Sequence, residues 1–87
     1  MEINALKIHP KDNVAVAIKP LKAGDRILGV ASDLLIAGQD IPKNHKLALE
    51  EISIGGKIIK YGESIGLATK TIQPGQWVHT HNLKAED

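Results

Sequence analysis

The sequence contains no cysteine. No disulfide can staple this fold, and no thiolate is available for zinc or an iron–sulfur cluster, so any metal must be held by nitrogen and oxygen ligands. Phenylalanine is also absent, and Tyr61 and Trp77 are the only aromatic residues. The core must therefore be aliphatic, and there is no platform on which nucleobases could stack. Neither sign of charge prevails: eleven Lys and Arg face ten Asp and Glu, interspersed along the chain. Without a basic field to gather a phosphate backbone, nucleic acid is excluded as a ligand from a second direction. No apolar run approaches the ~20 residues that a membrane-spanning helix needs. The opening Met-Glu-Ile-Asn lacks the basic and then apolar segments of an export signal, so a cytoplasmic protein is expected. Gly55-Gly56 has none of the context of a phosphate-binding loop, and Ser32, Ser53 and Ser64 have no base nearby in sequence; nucleotide binding and covalent catalysis are not indicated.

What is present is punctuation. Eight Gly and four Pro divide 87 residues, 43% of them hydrophobic, into short pieces. This fits one domain, residues 1–87, with one core. A chain of this size buries only roughly 60–65% of the surface it exposes when unfolded, so docking to a partner would stabilise it. Asn13 to Ile18 is the clearest strand, β-branched and small apolar residues closed by Pro20, and Ile8 to Asn13 reads as the turn leading into it. Beyond Pro20 one signature recurs four times: an aliphatic residue, two others, Gly or Asn, two others, and a second aliphatic residue. The copies begin at Leu21, Ile41, Ile52 and Ile72, with Gly24, Asn44, Gly55 and Gly75 at the centre. Gly and Asn tolerate positive φ, so each copy predicts a tight turn entering a strand. A shift of 31 residues lays Leu21–Leu47 on Ile52–Val78, matching Ala37 with Ala68 and Ile41 with Ile72. An internal pseudo-twofold follows. Helix competes only at 32–37 and 46–51, both shorter than the ~8–20 residues usual for globular helices. The expectation is an all-β, barrel-like or clip-like fold with at most short helical turns.

Four side-chain groups could carry chemistry. Trp77, His79 and His81 alternate, and on a strand the two imidazoles would share one face and offer two nitrogen ligands to a divalent cation. A third ligand would have to come from His9, His45 or a partner, and a solvated His pair near a polar terminus is the competing reading. His45 and Lys46, in the second turn, suit the capture of a carboxylate or the donation of a proton; such a pair is also common as plain surface. Lys60 and Tyr61 place an ammonium beside a phenol ahead of Gly62, unless Tyr61 only borders the core. His9, next to Pro10, reads as a turn residue before it reads as a ligand.

The segments Ile8-His-Pro-Lys-Asp-Asn-Val-Ala-Val-Ala17, Asp40-Ile-Pro-Lys-Asn-His-Lys-Leu-Ala-Leu49, Ile59-Lys-Tyr-Gly62, Ile65-Gly66 and Gly75-Gln-Trp-Val-His-Thr-His-Asn-Leu83 together resemble the SAF domain of the altronate and galactarate dehydratases. The resemblance covers nearly the whole chain. Its most specific parts are His79-Thr-His81-Asn82 and the turn at His45-Lys46, where Asn44 stands in place of the usual Gly. It implies a β-clip fold and a hydro-lyase system in which a hydroxy acid such as D-altronate loses water to give 2-dehydro-3-deoxy-D-gluconate. A divalent metal, iron or manganese, would be shared with a larger catalytic domain or subunit. In that setting His45, Lys46 and Tyr61 are the catalytic candidates and His79 and His81 the metal candidates. Small subunits of this kind resemble sulfolactate sulfo-lyase alpha chains, which makes C–S elimination a rival, and a non-catalytic assembly module is a second. A homo-oligomer is compatible with all three.

Overall fold

The computed structural model describes residues 2–30 and 34–86. Seven short strands follow one another: β1 (Ala5–Leu6), β2 (Val14–Ala17), β3 (Lys46–Ala48), β4 (Lys57–Lys60), β5 (Glu63–Ala68), β6 (Trp77–Val78) and β7 (Leu83–Lys84). They form two antiparallel sheets, β1-β2-β3-β6 and β4-β5-β7. There is no helix among the described residues. Lys46–Ala48, where helix was a competitor, is strand, and Ser32 and Asp33 lie outside the described residues.

All four expected turns form. Gly24, Asn44, Gly55 and Gly75 have φ of 92°, 72°, 80° and 85°. Each turn is closed by an N–H bonding the carbonyl three residues earlier: Asp25 to Lys22, His45 to Pro42, Gly56 to Ser53 and Gln76 to Gln73. Positive φ at the third position of a hydrogen-bonded turn is the type II pattern, and Pro74 occupies the second position that favours proline. The 31-residue register is also real. Reciprocal backbone bonds join Leu21 to Ile41 and Ile52 to Ile72, and Gly24 N–H to Ala37 O is repeated as Gly55 N–H to Ala68 O. The register extends to side chains from the N-terminal region. Asn4 donates to Arg26 O and accepts from Leu28 N–H; Asn13 does the same at Lys57 O and Ile59 N–H.

Where one core was expected, two related clusters form. Ala5, Ala17, Leu21, Ile27, Ala37, Ile41 and Leu47 build the first, with Ala15 and Leu35; Val14, Ala48, Ile52, Ile58, Ala68, Ile72 and Val78 build the second. The reason is alternation along a strand. In β2, Val14 faces one cluster and Ala15 the other, and in β3 Leu47 and Ala48 divide in the same way. The central sheet is thus covered on both faces, which is why β2 reads as an unbroken apolar run.

Candidate functional site

The register of β3 against β6, Lys46 opposite Val78 and Leu47 opposite Trp77, brings the second turn beside the His-rich segment. A cluster of rings results. The Trp77 indole Nε1–H donates to His45 Nδ1 at 3.2 Å. His79 stacks on Trp77 with ring centroids 5.6 Å apart and planes 6° apart, and lies 4.6 Å from His45. His81 contacts the same indole at 5.2 Å. Lys46 is half-buried alongside.

This differs from two imidazoles projecting from a continuous strand. Strand β6 ends at Val78, and residues 79–82 form a turn. Asn82 makes that turn: its carbonyl oxygen accepts from His79 N–H at 2.9 Å, its amide donates to Trp77 O at 2.8 Å, and its backbone N–H reaches His79 O. Buried to 4% exposure, Asn82 has both ends of its side chain satisfied. Ring contacts join His79 to His45 and to Trp77, and His81 to Trp77; His79 and His81 make none with each other.

The electrostatics follow from crowding. Burial pushes the His79 pKa down, and the nearby charges of His45, Lys46 and His81 push it further in the same direction. At neutral pH its imidazole is therefore neutral, with a nitrogen lone pair to offer a proton or a cation. Burial likewise lowers the Lys46 pKa, with the Lys60 ammonium adding to the effect. His45 accepts a hydrogen bond at Nδ1, so its neutral form is the tautomer that carries the proton on Nε2.

The other candidates sit elsewhere. Tyr61 and Gly62 form the two-residue loop between β4 and β5, with φ of 59° and 77°. Positive φ at both central residues is the type I′ hairpin turn. The Tyr61 side chain is exposed and its ring faces Lys60 Nζ at 5.0 Å, with no ring contact to the histidine cluster. His9 belongs to the same corner, its imidazole lying against Gly62 and its Nδ1 accepting Lys11 N–H. Among the described residues no three of His, Cys, Asp and Glu are grouped to hold a metal ion. A cation held by His79 or His81 would need ligands from another chain or domain. No isolated motif marked Trp77 as the organiser of the site; its place as the single tryptophan, between Gln76 and the histidines, was the available signal.

Geometry and sequence now converge. Residues 3–86 match the family model described as the altronate/galactarate dehydratase SAF domain. The chain belongs to this SAF-domain family. It is 42% identical to altronate dehydratase of Escherichia coli (strain K12) over 79 residues, 91% of this chain and 16% of that protein. It is 43% identical to galactarate dehydratase (L-threo-forming) of the same organism over 75 residues, 84% of this chain and 14% of that protein. To the alpha subunit of (2R)-sulfolactate sulfo-lyase from Chromohalobacter salexigens it is 31% identical over 86 residues, 92% of that subunit. The SAF domain is thus a small part of the dehydratases and nearly the whole of the sulfo-lyase alpha subunit. No helix among its described residues is long and apolar enough to cross a membrane.

Proposed function

We propose that this SAF domain is the accessory part of a metal-dependent sugar-acid hydro-lyase, placing His45, Lys46, Trp77, His79 and His81 at the edge of a larger chain's active site. The observation that carries the reading is the ring cluster itself: the two segments most specific to the family, far apart in sequence, are brought together by the β3–β6 register. D-Altronate, losing water to 2-dehydro-3-deoxy-D-gluconate, is the substrate we favour.

Removing water from a hydroxy acid requires a base for the proton alpha to the carboxylate, an acid for the departing hydroxyl, and positive charge for the enediolate. Neutral His79 is suited to accept a proton or to ligate. His79, once it holds that proton, can return it to the departing hydroxyl to release water, while neutral His45, its Nδ1 held by Trp77, steadies the same oxygen with a hydrogen bond from Nε2–H. The Lys46 ammonium supplies charge where the enediolate develops. Iron or manganese, when bound through His79 or His81 together with groups of the larger chain, would add Lewis-acid stabilisation. Tyr61 makes no ring contact with these residues, and its exposed ring lies against Lys60 Nζ, so this reading gives it no step of its own.

The test is reconstitution. A large dehydratase chain lacking its own SAF segment is assayed with metal on altronate, with and without this protein. Activity should depend on it, and His45→Ala or His79→Ala should lower kcat by about 10²-fold or more, the usual worth of general acid–base catalysis. Equal turnover without this protein would end the proposal. The coverage of the sulfo-lyase alpha subunit favours a second reading, C–S elimination from sulfolactate by the same cluster. Release of sulfite from sulfolactate alongside a sulfo-lyase large subunit, with no altronate turnover, would select it.

A further inference from the structure

Beside the ring cluster lies an open groove of about 240 Å³ lined by Gln39, Lys70, Thr71, Gln76, His81 and Asn82. Among the described residues no acidic side chain lines it. Its amides are also polarised by the fold. Gln39 Oε1 accepts Trp77 N–H at 3.2 Å and Gln76 Oε1 accepts Gln73 N–H at 2.8 Å. With both oxygens engaged, the ends left for a ligand are the two NH2 groups. Asn82 is spent on the turn. Lys70 makes no ion pair among the described residues, and the nearest acid in sequence to Gln39, Asp40, is turned to Lys22 Nζ and Ala23 N–H. The groove therefore offers three donor-only groups, two amide NH2 groups and an ammonium, beside a hydroxyl and an imidazole that can donate as well as accept.

We propose that this groove binds the carboxylate of a small polyhydroxy acid, with Lys70 and the Gln39 and Gln76 NH2 groups on its oxygens. The proposal rests on the hydro-lyase reading and adds to it where the acid group of the substrate sits. A carboxylate accepts several hydrogen bonds and favours charged donors. The volume lies below the ~300–1,000 Å³ of sites for drug-sized ligands, as suits a short acid. His81 both lines the groove and touches Trp77, on which His79 stacks, so the groove and the ring cluster adjoin. In the 31-residue register Gln39 and Lys70 occupy equivalent places.

The experiment is titration of the 15N-labelled chain with galactarate, galactitol and sulfate, observing the Gln39 and Gln76 side-chain amides. Galactarate should shift both saturably, galactitol should not, and sulfate should bind more weakly. Lys70→Met, an exposed substitution that leaves the spectrum folded, should weaken galactarate by roughly tenfold, the worth of one charge-assisted bond. In the reconstituted enzyme it should raise KM while leaving kcat near wild type. The proposal fails if galactarate leaves these amides unmoved, if galactitol shifts them equally, or if sulfate matches galactarate. Saturable galactarate binding without turnover in any reconstitution would instead overturn the hydro-lyase reading and leave the groove standing.

Discussion

Asp12 is nearly buried, at 4% exposure, yet among the described residues it bonds to no side chain. Its carboxylate gathers backbone N–H groups instead: His9 at 3.1 Å, Tyr61 at 3.1 Å and Gly62 at 2.8 Å. Burial pushes its pKa up, but the amides of Gly62, Tyr61 and His9, with the His9 charge, outweigh this and hold the carboxyl below its usual value. Asp12→Ala leaves these donors unpaired at the hairpin loop, at a cost of about 2–4 kcal/mol. For a domain of this size, each 1 kcal/mol lowers Tm by about 4–8 °C. Because the folded pKa is depressed, Asp12 contributes stability that is complete above the unfolded value of about 3.9 and is lost as pH falls through the folded one. Urea titrations across that acid range should show the loss in the wild type and a flatter profile in the variant. Trp77 acts at the same scale on His45. Trp77→Phe keeps a ring but removes the N–H that fixes His45, so imidazole 15N shifts should read the Nε2–H tautomer in the wild type and a mixture in the variant. A wild-type His45 protonated on Nδ1 would contradict the assignment. Neither role was legible in the sequence. Asp12 meets a loop some 50 residues away, and Trp77 meets His45 only through strand pairing.

At the scale of elements the turns were legible, because the physical requirement is local. Only residues that tolerate positive φ serve at the third position of these turns, and the sequence places Gly or Asn there each time. The four positions are nevertheless unequal. A Cβ on Gly24 meets nothing within 4 Å, whereas one on Gly75 falls 2.0 Å from Ile36 O. Gly24→Ala should therefore cost about 1–2 kcal/mol, the left-handed penalty alone. Gly75→Ala adds a backbone clash and should cost more, enough in so small a domain to unfold much of the population. Urea midpoints compare the two directly, and equal midpoints would refute the argument. The strand expected to carry His79 and His81 misread the same kind of local signal. Alternation suggested extension, but Asn82, three residues after His79, bonds back to it and bends the chain into a turn. An Asn at that spacing was visible; the register that ends β6 at Val78 was not.

On the scale of the whole molecule, the 31-residue symmetry shows which residues the fold does not require. The pairing of Ala15 with Leu47 in one half corresponds to that of Lys46 with Val78 in the other. Ala15 is buried at 1% exposure, so the fold accepts alanine in this role, yet the equivalent pairing with Val78 carries a half-buried lysine there. The lysine is also held at a lowered pKa by burial and by the Lys60 charge, an arrangement that opposes the charged state in the folded chain. With the folded pKa below the unfolded value of about 10.4, the opposing contribution is fully present at neutral pH and is relieved as pH rises through the folded pKa. Lys46→Ala should accordingly leave stability unchanged or raise it at pH 7, and should remove the gain in stability that the wild type shows toward alkaline pH. On the proposed hydro-lyase reading, the same substitution should lower kcat in the reconstituted enzyme, because it removes the charge that reading assigns to the enediolate. Denaturant unfolding at neutral and alkaline pH, paired with turnover, separates the two effects. A variant less stable than wild type with undiminished turnover would mean that Lys46 serves packing, and that the departure from symmetry at this position carries no chemistry.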